Sequence, residues 1–600
     1  MSRSPILPAL RDVLREALAP PLDEPRHGTA LSPDRRRPHH LPGPGRRRFL
    51  SSSTLAALSI TLPELGCAGD LPRASSRPPR SQPEPKTQKA GPRICVVGAG
   101  LAGLHCTYRL KQAGQNVTLL EGNTRVGGRT WTLRNHFQGR HVAELGAELV
   151  NSDHTTMLRL IEEFKLALDD LPATDLGIAH SAYRFYAQNQ VRSDEEAARA
   201  FGEMIRDPLG TLIPAMGAIA DEDGMHSVFE NASARRFDLQ WNVESWLNAH
   251  CGAGHWLVDL LRAALVPEYG SELKHQSIFN LIGTYYDLFH HADRSWLPLR
   301  GPEGEFRVYA ASDERYHLRR GSDSVALALA DRLEGRIETD HRLTALSQVG
   351  ATYRLSTERK GGGQGEFHAD IVVLALPFST LRQVDLSGIS FSPAKVEMIQ
   401  HANYGTNAKL LGQFSSPVWH RHHQGGAAIC DLRAEQYALQ SIWDTSRGQP
   451  GHEGQAPAIL TNFVGGEAGR RLADGTPQSQ WDLRLPLIDT LFPGASDAYD
   501  RDAKLAERMV WGQYPWALGS YICPSPGQFH KLRSTRQEEG LVYFCGEHTS
   551  LDYYGFMEGA AETGARRAHD ILAHIGESEW AAGLDRRFPD LGLGDSKRKH

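Results

Sequence analysis

Two patterns of hydrophobic and polar residues run along the chain from about residue 93 onward. Short apolar runs rich in β-branched residues, as at 93–97 and 370–377, are typical of strands buried in a parallel sheet. Longer stretches in which apolar and polar residues are mixed predict helices. The helices predicted in this way span 104–113, 156–166, 238–250 and 324–333. Strands that alternate with helices in this manner indicate an α/β protein.

Three glycines separate the first strand from the first helix. Gly98 permits a tight turn, Gly100 lets the backbone approach a pyrophosphate, and Gly103 lets the helix lie close to the strand. The N-terminus of the helix adds unpaired N–H groups and the positive end of its dipole. The turn therefore predicts a phosphate site.

A second strand at 116–120 ends at Glu121, which lies 21 residues after Gly100. A carboxylate in this place accepts a hydrogen bond from a ribose hydroxyl in dinucleotide-binding folds. The two glycines of Arg125-Val126-Gly127-Gly128-Arg129 then allow a second close backbone approach, and its two arginines can neutralise phosphate charge. Together these features predict a dinucleotide cofactor.

From this point the chain resembles the flavin-containing amine oxidase family, which includes monoamine oxidases, polyamine oxidases and L-amino acid oxidases. The resemblance covers most of residues 93–573 and implies an extended FAD. Four further segments carry it, namely 143–148, 404–409 with Phe414 and Trp419, Trp511 with 519–521, and 540–563.

The resemblance implies an α/β fold in which a Rossmann-like FAD-binding domain is interleaved with a mixed α+β substrate domain. The FAD-binding domain is expected at 93–152, 301–385 and 516–575, the substrate domain at 153–300 and 386–515, and a tail at 576–600.

The resemblance also implies particular contacts to the cofactor. Leu343 falls near the adenine contact of the family, and Gly546 and Glu547 form a turn next to the cofactor. Met557 lies where the final helix begins, so the positive end of that helix would point at the flavin. Monoamine oxidases attach FAD through a cysteine where this chain has Ser520, so we expect FAD to be bound non-covalently.

By the same resemblance, the chemistry is oxidation of an amine. A hydride equivalent leaves the carbon bearing nitrogen for flavin N5, the imine hydrolyses, and oxygen is reduced to hydrogen peroxide. Lys409 would hold a water near N5. Tyr521 and Phe556 would form two aromatic walls of the substrate slot, and Trp511 would line the flavin site.

The substrate class depends on one turn. Leu149 stands where many L-amino acid oxidases have the arginine that binds the substrate carboxylate, and Glu148 adds an anion that favours a cationic amine. The alternative is an L-amino acid oxidase that uses another arginine, such as Arg315 or Arg382. A flavin dehydrogenase or desaturase with another acceptor, and a flavin-bound partner subunit with little activity, also stay open.

Composition divides the chain at about residue 92. The first 92 residues hold 16 of the 34 prolines, a single aromatic and a net charge of +7, so they cannot bury a core. Arg46-Arg47-Arg48 followed by an apolar stretch resembles a twin-arginine export signal within a leader at 1–69. A proline-rich tether follows at 70–92. We expect export to the periplasm or tethering to a membrane, with Cys67 as a possible site for a lipid anchor.

The net charge of -5 gives no general attraction to nucleic acid, and no apolar run is long enough for a membrane helix. Seven scattered cysteines exclude a disulfide scaffold. The histidine-rich spots lack convergent acids or cysteines, so no metal site is expected. Residues 93–600 carry a net charge of -12, which weakly favours cationic amines.

Overall fold

The structure is a computed structural model that describes residues 91–171, 183–193, 196–197, 200, 204, 232–285, 314–422, 425–434, 437–449 and 457–593. The export signal, Cys67 and most of the tether lie outside these ranges, so the expectations about them stay predictions. None of the helices in the described ranges combines the length and apolar character that a membrane crossing requires.

The strands of the described residues are mostly short. They are β1 Ile94–Val97, β2 Val117–Leu120, β3 Thr132–Leu133, β4 Ala143–Glu144, β5 Leu149–Val150, β6 Leu168–Asp170, β7 Tyr183–Ala187, β8 Gln190–Arg192, β9 Tyr316–Leu318, β10 Ile337–Glu338, β11 Arg342–Val349, β12 Thr352–Glu358, β13 Gln364–Ala369, β14 Ile371–Leu374, β15 Asp385–Gly388, β16 Ala408–Phe414, β17 Ala427–Ala434, β18 Tyr437–Asp444, β19 Ala458–Val464, β20 Ala506–Val510 and β21 Val542–Phe544.

The helices vary from one turn to five. They are α1 Leu101–Gln112, α2 Thr155–Glu163, α3 Ala232–Gln240, α4 Val243–Cys251, α5 Trp256–Tyr269, α6 Ile278–Tyr285, α7 Ser324–Asp331, α8 Phe378–Leu381, α9 Pro393–His401, α10 Gly466–Arg471, α11 Pro477–Leu491, α12 Ala495–Ala498, α13 Leu532–Arg536, α14 Met557–His574 and α15 Ser578–Arg587.

One sheet is parallel and has the order β10-β2-β1-β14-β21. In β1, Ile94 lies between Val117 of β2 and Ile371 of β14, and all four residues of β1 are buried. A strand covered on both faces must be apolar throughout, which is the pattern that the sequence shows there. Because all five strands are parallel, their carboxyl ends meet at one edge.

Helices α1 and α14 pack closely on each other above this sheet. A Cβ added to Gly564 of α14 would lie 2.5 Å from the carbonyl oxygen of Ala102, so only a glycine allows the observed approach. The His105 ring contacts the carbonyl oxygen of Ala561 through Nδ1 at 2.7 Å. The final helix is thereby fixed against the first, and the beginnings of both helices lie near the carboxyl edge of the sheet.

A second, mainly antiparallel sheet has the order β20-β16-β19-β18-β17-β7-β8. Its strand β16 is buried along its whole length. On one face, Trp481 of α11 lies so close to Gly412 that a Cβ there would come within 2.4 Å of the indole. Lys409 points to the other face, where it contacts the segment 144–148.

Most element positions predicted from the pattern agree with the structure to within a few residues, with one clear error. The helix predicted at 238–250 is two helices, α3 and α4. Asn242 breaks the run because it is an N-cap with extended backbone, and its side chain accepts a hydrogen bond from the N–H of Ser245 at 2.8 Å. The interleaved domain boundaries stay a prediction, although β1, β14 and β21 come from the three expected pieces.

Candidate active site

A cavity lies at the carboxyl edge of the parallel sheet, where ligands bind in open α/β folds. Its space amounts to about 1240 Å³, part of which is open to solvent. Gly98, Glu121 and Ala375 directly follow β1, β2 and β14, and all three line the cavity together with Gly546 after β21. The topology of the sheet therefore places four distant parts of the chain around one space.

The glycines after β1 act as the sequence predicts. Gly98 has a φ of +106°, and a Cβ there would lie 2.7 Å from the carbonyl oxygen of Ala375. A Cβ on Gly103 would lie 2.0 Å from the carbonyl oxygen of Gly98. By contrast, a Cβ on Gly100 would meet no atom within 4 Å, because Gly100 borders the cavity. The first turn of α1 thus presents its N–H groups to open space.

Glu121 lines the cavity and is also tied to the glycine turn. One carboxylate oxygen accepts the N–H of Ala99 at 2.7 Å, and the other accepts the N–H of Asn123 at 2.8 Å. Burial raises the pKa of Glu121, and these two N–H bonds lower it in part. Each carboxylate oxygen has a further lone pair, so the predicted bond to a ribose hydroxyl is compatible with this geometry.

The predicted phosphate loop follows directly. Gly127 donates its N–H to the carbonyl oxygen of Ala99 at 2.8 Å, and a Cβ on Gly128 would lie 3.2 Å from Cα of Gly100. Arg125 lines the cavity, but its guanidinium is engaged by the loop itself. Its guanidinium donates to the carbonyl oxygens of Val126, Gly128 and Thr130, so it holds the loop closed instead of facing a phosphate.

Arg129 connects three walls of the cavity. One nitrogen of its guanidinium donates to the carbonyl oxygen of Ser520 and to Glu547, both at 2.7 Å. The other oxygen of Glu547 accepts the N–H of Gly555 at 2.9 Å. The 127–130 loop, the segment before Tyr521 and the closing motif are therefore held together by one buried ion pair.

The predicted aromatic walls lie at the same cavity. Tyr521 and Phe556 both line it. The Tyr521 hydroxyl donates to the carbonyl oxygens of Pro267 and Glu268, at 3.1 and 2.6 Å, in the last turn of α5. These carbonyls are at a helix end, where intrahelical partners are missing, so they anchor the tyrosine ring. The Phe556 ring packs edge-on against His154, with centroids 5.2 Å apart.

Trp511, expected to line the flavin site, does not border the cavity directly, whereas Trp516 does. Trp511 is fully buried, and its indole N–H donates to the carbonyl oxygen of Leu145 at 3.0 Å. It is not among the residues that line the cavity, whereas Trp516 is, with 37% of its surface exposed. Trp511 therefore supports the wall from behind.

The closing motif reaches the cavity through its glycine turn and the start of α14. Gly546, Phe556 and Met557 line the cavity, and Met557 is the first residue of α14. The positive end of that helix therefore faces the cavity. The next residue, Glu558, instead accepts the N–H groups of Thr156 and Met157 at the start of α2. Burial raises its pKa to about 7.

Leu343, expected near an adenine, is buried and lines the same cavity. The residue before Tyr521 is Ser520, whose hydroxyl donates to the side-chain oxygen of Asn407 at 2.6 Å. Cysteines in the described ranges are buried elsewhere, and none of them lines this cavity. Nor do the described residues contain a cluster of three or more groups that could hold a metal ion.

The contacts of the Lys409 ammonium are not predicted by the sequence. Its ammonium donates to Glu148 at 2.6 Å and to the carbonyl oxygens of Gly146 and Glu144 at 2.9 and 3.1 Å. The other oxygen of Glu148 accepts the indole N–H of Trp443 at 2.9 Å. Glu148 is thus the counter-ion of Lys409, so the anion expected to favour a cationic amine has its charge balanced by this lysine.

Trp443 also belongs to this site, although its position in the sequence does not indicate it. The one local indication is that Trp443 lies in a buried strand. A buried indole needs an acceptor for its N–H. Glu148 lies 295 residues earlier in the chain, so sequence spacing cannot pair the two.

The sequence model of a family described as flavin containing amine oxidoreductase matches residues 101–572. The chain belongs to this family. The match includes the parallel sheet except β1, the cavity walls except the glycine turn at Gly98 and Gly100, and the Lys409 site. Membership of the family implies a flavin cofactor. The glycine turn, the open helix start and Glu121 fit the dinucleotide form of such a cofactor.

Two relatives illustrate the range of the family. The flavin-dependent L-tryptophan oxidase RebO of Lentzea aerocolonigenes is 25% identical over 513 residues, which are 81% of this chain and 98% of that protein. Flavin-containing amine oxidase B of Bos taurus is 24% identical over 495 residues, which are 81% of this chain and 86% of that protein. Both amine and amino acid oxidases are therefore similar to this chain at about the same level.

Solved structures agree on the fold. Cyclohexylamine oxidase from Brevibacterium oxydans IH-35A superposes with a TM-score of 0.65 at 20% identity, covering 81% of this chain and 100% of that one. Putrescine oxidase bound to putrescine gives a TM-score of 0.62 at 19% identity, covering 80% and 99%. The α/β fold expected from the sequence is thereby confirmed.

Proposed function

We propose that this protein is an FAD-dependent oxidase of amines. The observation that carries the proposal is one cavity that joins a dinucleotide-type glycine turn to the aromatic pair Tyr521 and Phe556. Bound FAD would supply the two-electron oxidation of the carbon bearing nitrogen, after which the imine hydrolyses and oxygen takes up the electrons as hydrogen peroxide. The chain itself would contribute orientation of the amine between two aromatic side chains, Tyr521 and Phe556.

The preference for amines over amino acids is supported by where three side chains lie. Leu149 is a buried apolar residue of β5. Arg315 pairs with Asp170 through two hydrogen bonds, of 2.9 and 2.6 Å. Arg382 donates to the backbone carbonyl oxygens of Ile399 and Ala402. None of the three is placed to make the bidentate contact that a substrate carboxylate would need.

The charge of Glu148 no longer supports this preference, because Lys409 balances it. An L-amino acid oxidase therefore stays the second candidate, and the similarity to an L-tryptophan oxidase favours it. A flavin dehydrogenase or desaturase is the third candidate, and it differs by reducing an acceptor other than oxygen.

We expect peroxide release in air with tyramine or putrescine and little with leucine. The reason is that a substrate carboxylate would be desolvated in this site, and neither Arg315 nor Arg382 is placed to pair with it. The measurement is peroxide release from the full chain with each substrate, beside loss of flavin colour without oxygen. Rapid turnover of leucine alone would reverse the order of the first two candidates. Loss of colour without peroxide in air would support a dehydrogenase, and no response to any amine would argue against the proposal.

FAD is expected to leave the protein on acid precipitation. Covalent attachment at this place in the family needs a thiol, and here Ser520 uses its hydroxyl to contact Asn407. After precipitation the supernatant should be yellow, and chromatography should identify its flavin as FAD. Yellow colour that stays with the pellet would contradict non-covalent binding, and release of a mononucleotide would contradict FAD.

A further inference from the structure

The ammonium of Lys409 is completely surrounded by protein acceptors. An ammonium has three protons, and the three oxygens that accept from it are those of Glu148, Gly146 and Glu144, at 2.6, 2.9 and 3.1 Å. The side chain is only 2% exposed. Each proton therefore has a protein acceptor, and a water is not needed to satisfy this lysine.

Glu148 is bound equally tightly. One carboxylate oxygen faces the Lys409 ammonium, and the other accepts the Trp443 indole N–H at 2.9 Å. Its backbone carbonyl oxygen accepts the Ser322 hydroxyl at 2.6 Å. The ammonium also lies 5.3 Å from the centre of a Trp443 ring. This Lys409–Glu148–Trp443 cluster is a closed, charge-balanced unit.

Only one layer of backbone separates the cluster from the cavity wall at Arg129. Gly146 accepts from Lys409, and a Cβ on Gly146 would lie 1.9 Å from the carbonyl oxygen of Arg129. The next residue, Ala147, donates its N–H to that same oxygen at 3.2 Å. Any charge left unbalanced in the cluster would therefore act on the cavity through a short, buried path.

We propose that Glu148 cancels the charge of Lys409 beside the flavin, so that the two residues position the 144–148 segment and set the electrostatic environment of the cofactor. Glu148 is in this view a positioning residue and not the anion that recognises a cationic substrate. The inference rests on the proposed function only in that its main measurement requires a bound flavin.

The sign of the expected effects follows from elementary electrostatics. Reduction adds negative charge to a flavin, so a nearby cation raises the reduction potential and a nearby anion lowers it. Glu148→Gln leaves Lys409 without its counter-ion and should raise the potential. Lys409→Met leaves Glu148 without its counter-ion and should lower it. In the double variant both charges are gone, and the potential should return close to that of the wild type.

The experiment is dye-equilibrated measurement of the reduction potential in the holoenzyme for the wild type, both single variants and the double variant. Opposite shifts that cancel in the double variant are expected. Shifts of the same sign, or a double variant as far from the wild type as either single variant, would overturn the proposal. Glu163→Gln is the control, because it breaks a buried pair with Arg109, 2.7 Å long, whose residues do not line the cavity.

Thermal unfolding of the same four apoproteins gives a second measurement that needs no flavin. Each single variant leaves one buried charge unpaired, whereas the double variant leaves none. The double variant should therefore have a higher unfolding midpoint than the sum of the single effects predicts. Strictly additive midpoints would show that the pair is not coupled and would overturn the inference.

Substrate kinetics separate this inference from the oxidase proposal. If Glu148 does not bind the substrate, Glu148→Gln should change the KM values for putrescine and tyramine by the same factor. A selective rise for putrescine, which carries the second cation, would identify Glu148 as a substrate anion and contradict the inference. If no amine is oxidised but the potentials shift as expected, the charge-balance inference stands and the oxidase proposal fails.

Discussion

Gly100→Ala is expected to weaken flavin binding about tenfold or more, which is about 1.4 kcal/mol, while the apoprotein stays folded. Gly100 has an ordinary extended backbone with φ -74° and ψ 176°, so alanine is not strained there. A methyl group at this position meets no protein atom within 4 Å and instead enters the cavity at the start of α1. It should therefore displace the pyrophosphate and nothing else. Titration of the apoprotein with FAD, followed by fluorescence, measures the change.

Gly103→Ala is the matched comparison, because it adds the same methyl group three residues later. Here the added carbon would lie 2.0 Å from the backbone oxygen of Gly98, so α1 must move away from the turn after β1. We expect a loss of about 1–3 kcal/mol of stability and a lower unfolding midpoint of the apoprotein. A Gly103 variant as stable as the wild type, or a Gly100 variant with unchanged flavin affinity, would contradict the assignment of the two glycines.

The parts of the fold that the sequence predicts well are those with local causes. The turn after β1 is fixed by residues within six positions of one another, and the apolar run of β1 follows from its burial on both faces. Strand order is different in kind. β14 and β21 pair with each other although about 170 residues separate them, and nothing in either strand's composition names its neighbour. The resemblance indicated only that the three pieces of the chain belong to one domain, and the order of their strands comes from the structure.

The error at 238–250 also has a local cause, which was visible but weaker than the apolar pattern. Asn242 and Ser245 exchange hydrogen bonds with each other's backbone as a capping box. The apolar residues on both sides, including Trp241 and Val243, continue a helix-like spacing through the break. The spacing of apolar residues therefore predicts one helix, whereas the N-cap at Asn242 begins a second helix.

The site residues also differ in whether local sequence or tertiary contacts determine their roles. Residues that bind through their own backbone, such as Gly98 and Gly100, reach the cavity where the sequence places them. Residues that act through a side-chain partner are harder, because the partner comes from a distant element. Arg125 turns back onto its own loop, and Glu148 meets a lysine 261 residues later. The sequence shows where the charged residues are, but their net electrostatic effect on the cavity depends on tertiary contacts that the sequence does not show.

Arg129→Met is expected to have the second large effect, with loss of most of the bound flavin and about 3 kcal/mol or more of stability. The substitution leaves Glu547, only 6% exposed, without its cation and removes the donor to the carbonyl oxygen of Ser520. It also removes the guanidinium that borders the cavity. The 127–130 loop and the Gly546–Glu547 turn would then lose their direct connection. Flavin content per chain after purification and the thermal midpoint of the apoprotein measure the two effects.

Glu547→Gln should be the milder change, because the two partners of the ion pair are buried to different degrees. An amide keeps one oxygen as an acceptor, and the unpaired Arg129 is 17% exposed and still donates to Ser520. Arg129→Met leaves the more deeply buried charge, that of Glu547, unpaired, whereas Glu547→Gln leaves only the less buried Arg129 unpaired. The first variant should therefore cost more stability. Arg93→Met is the control, since its pair with Asp370 is at the surface and away from the cavity, and flavin content should not change. A greater loss of flavin in Glu547→Gln than in Arg129→Met would contradict the role given to Arg129. The cavity walls would then be held together mainly by the contact between the Glu547 carboxylate and the N–H of Gly555.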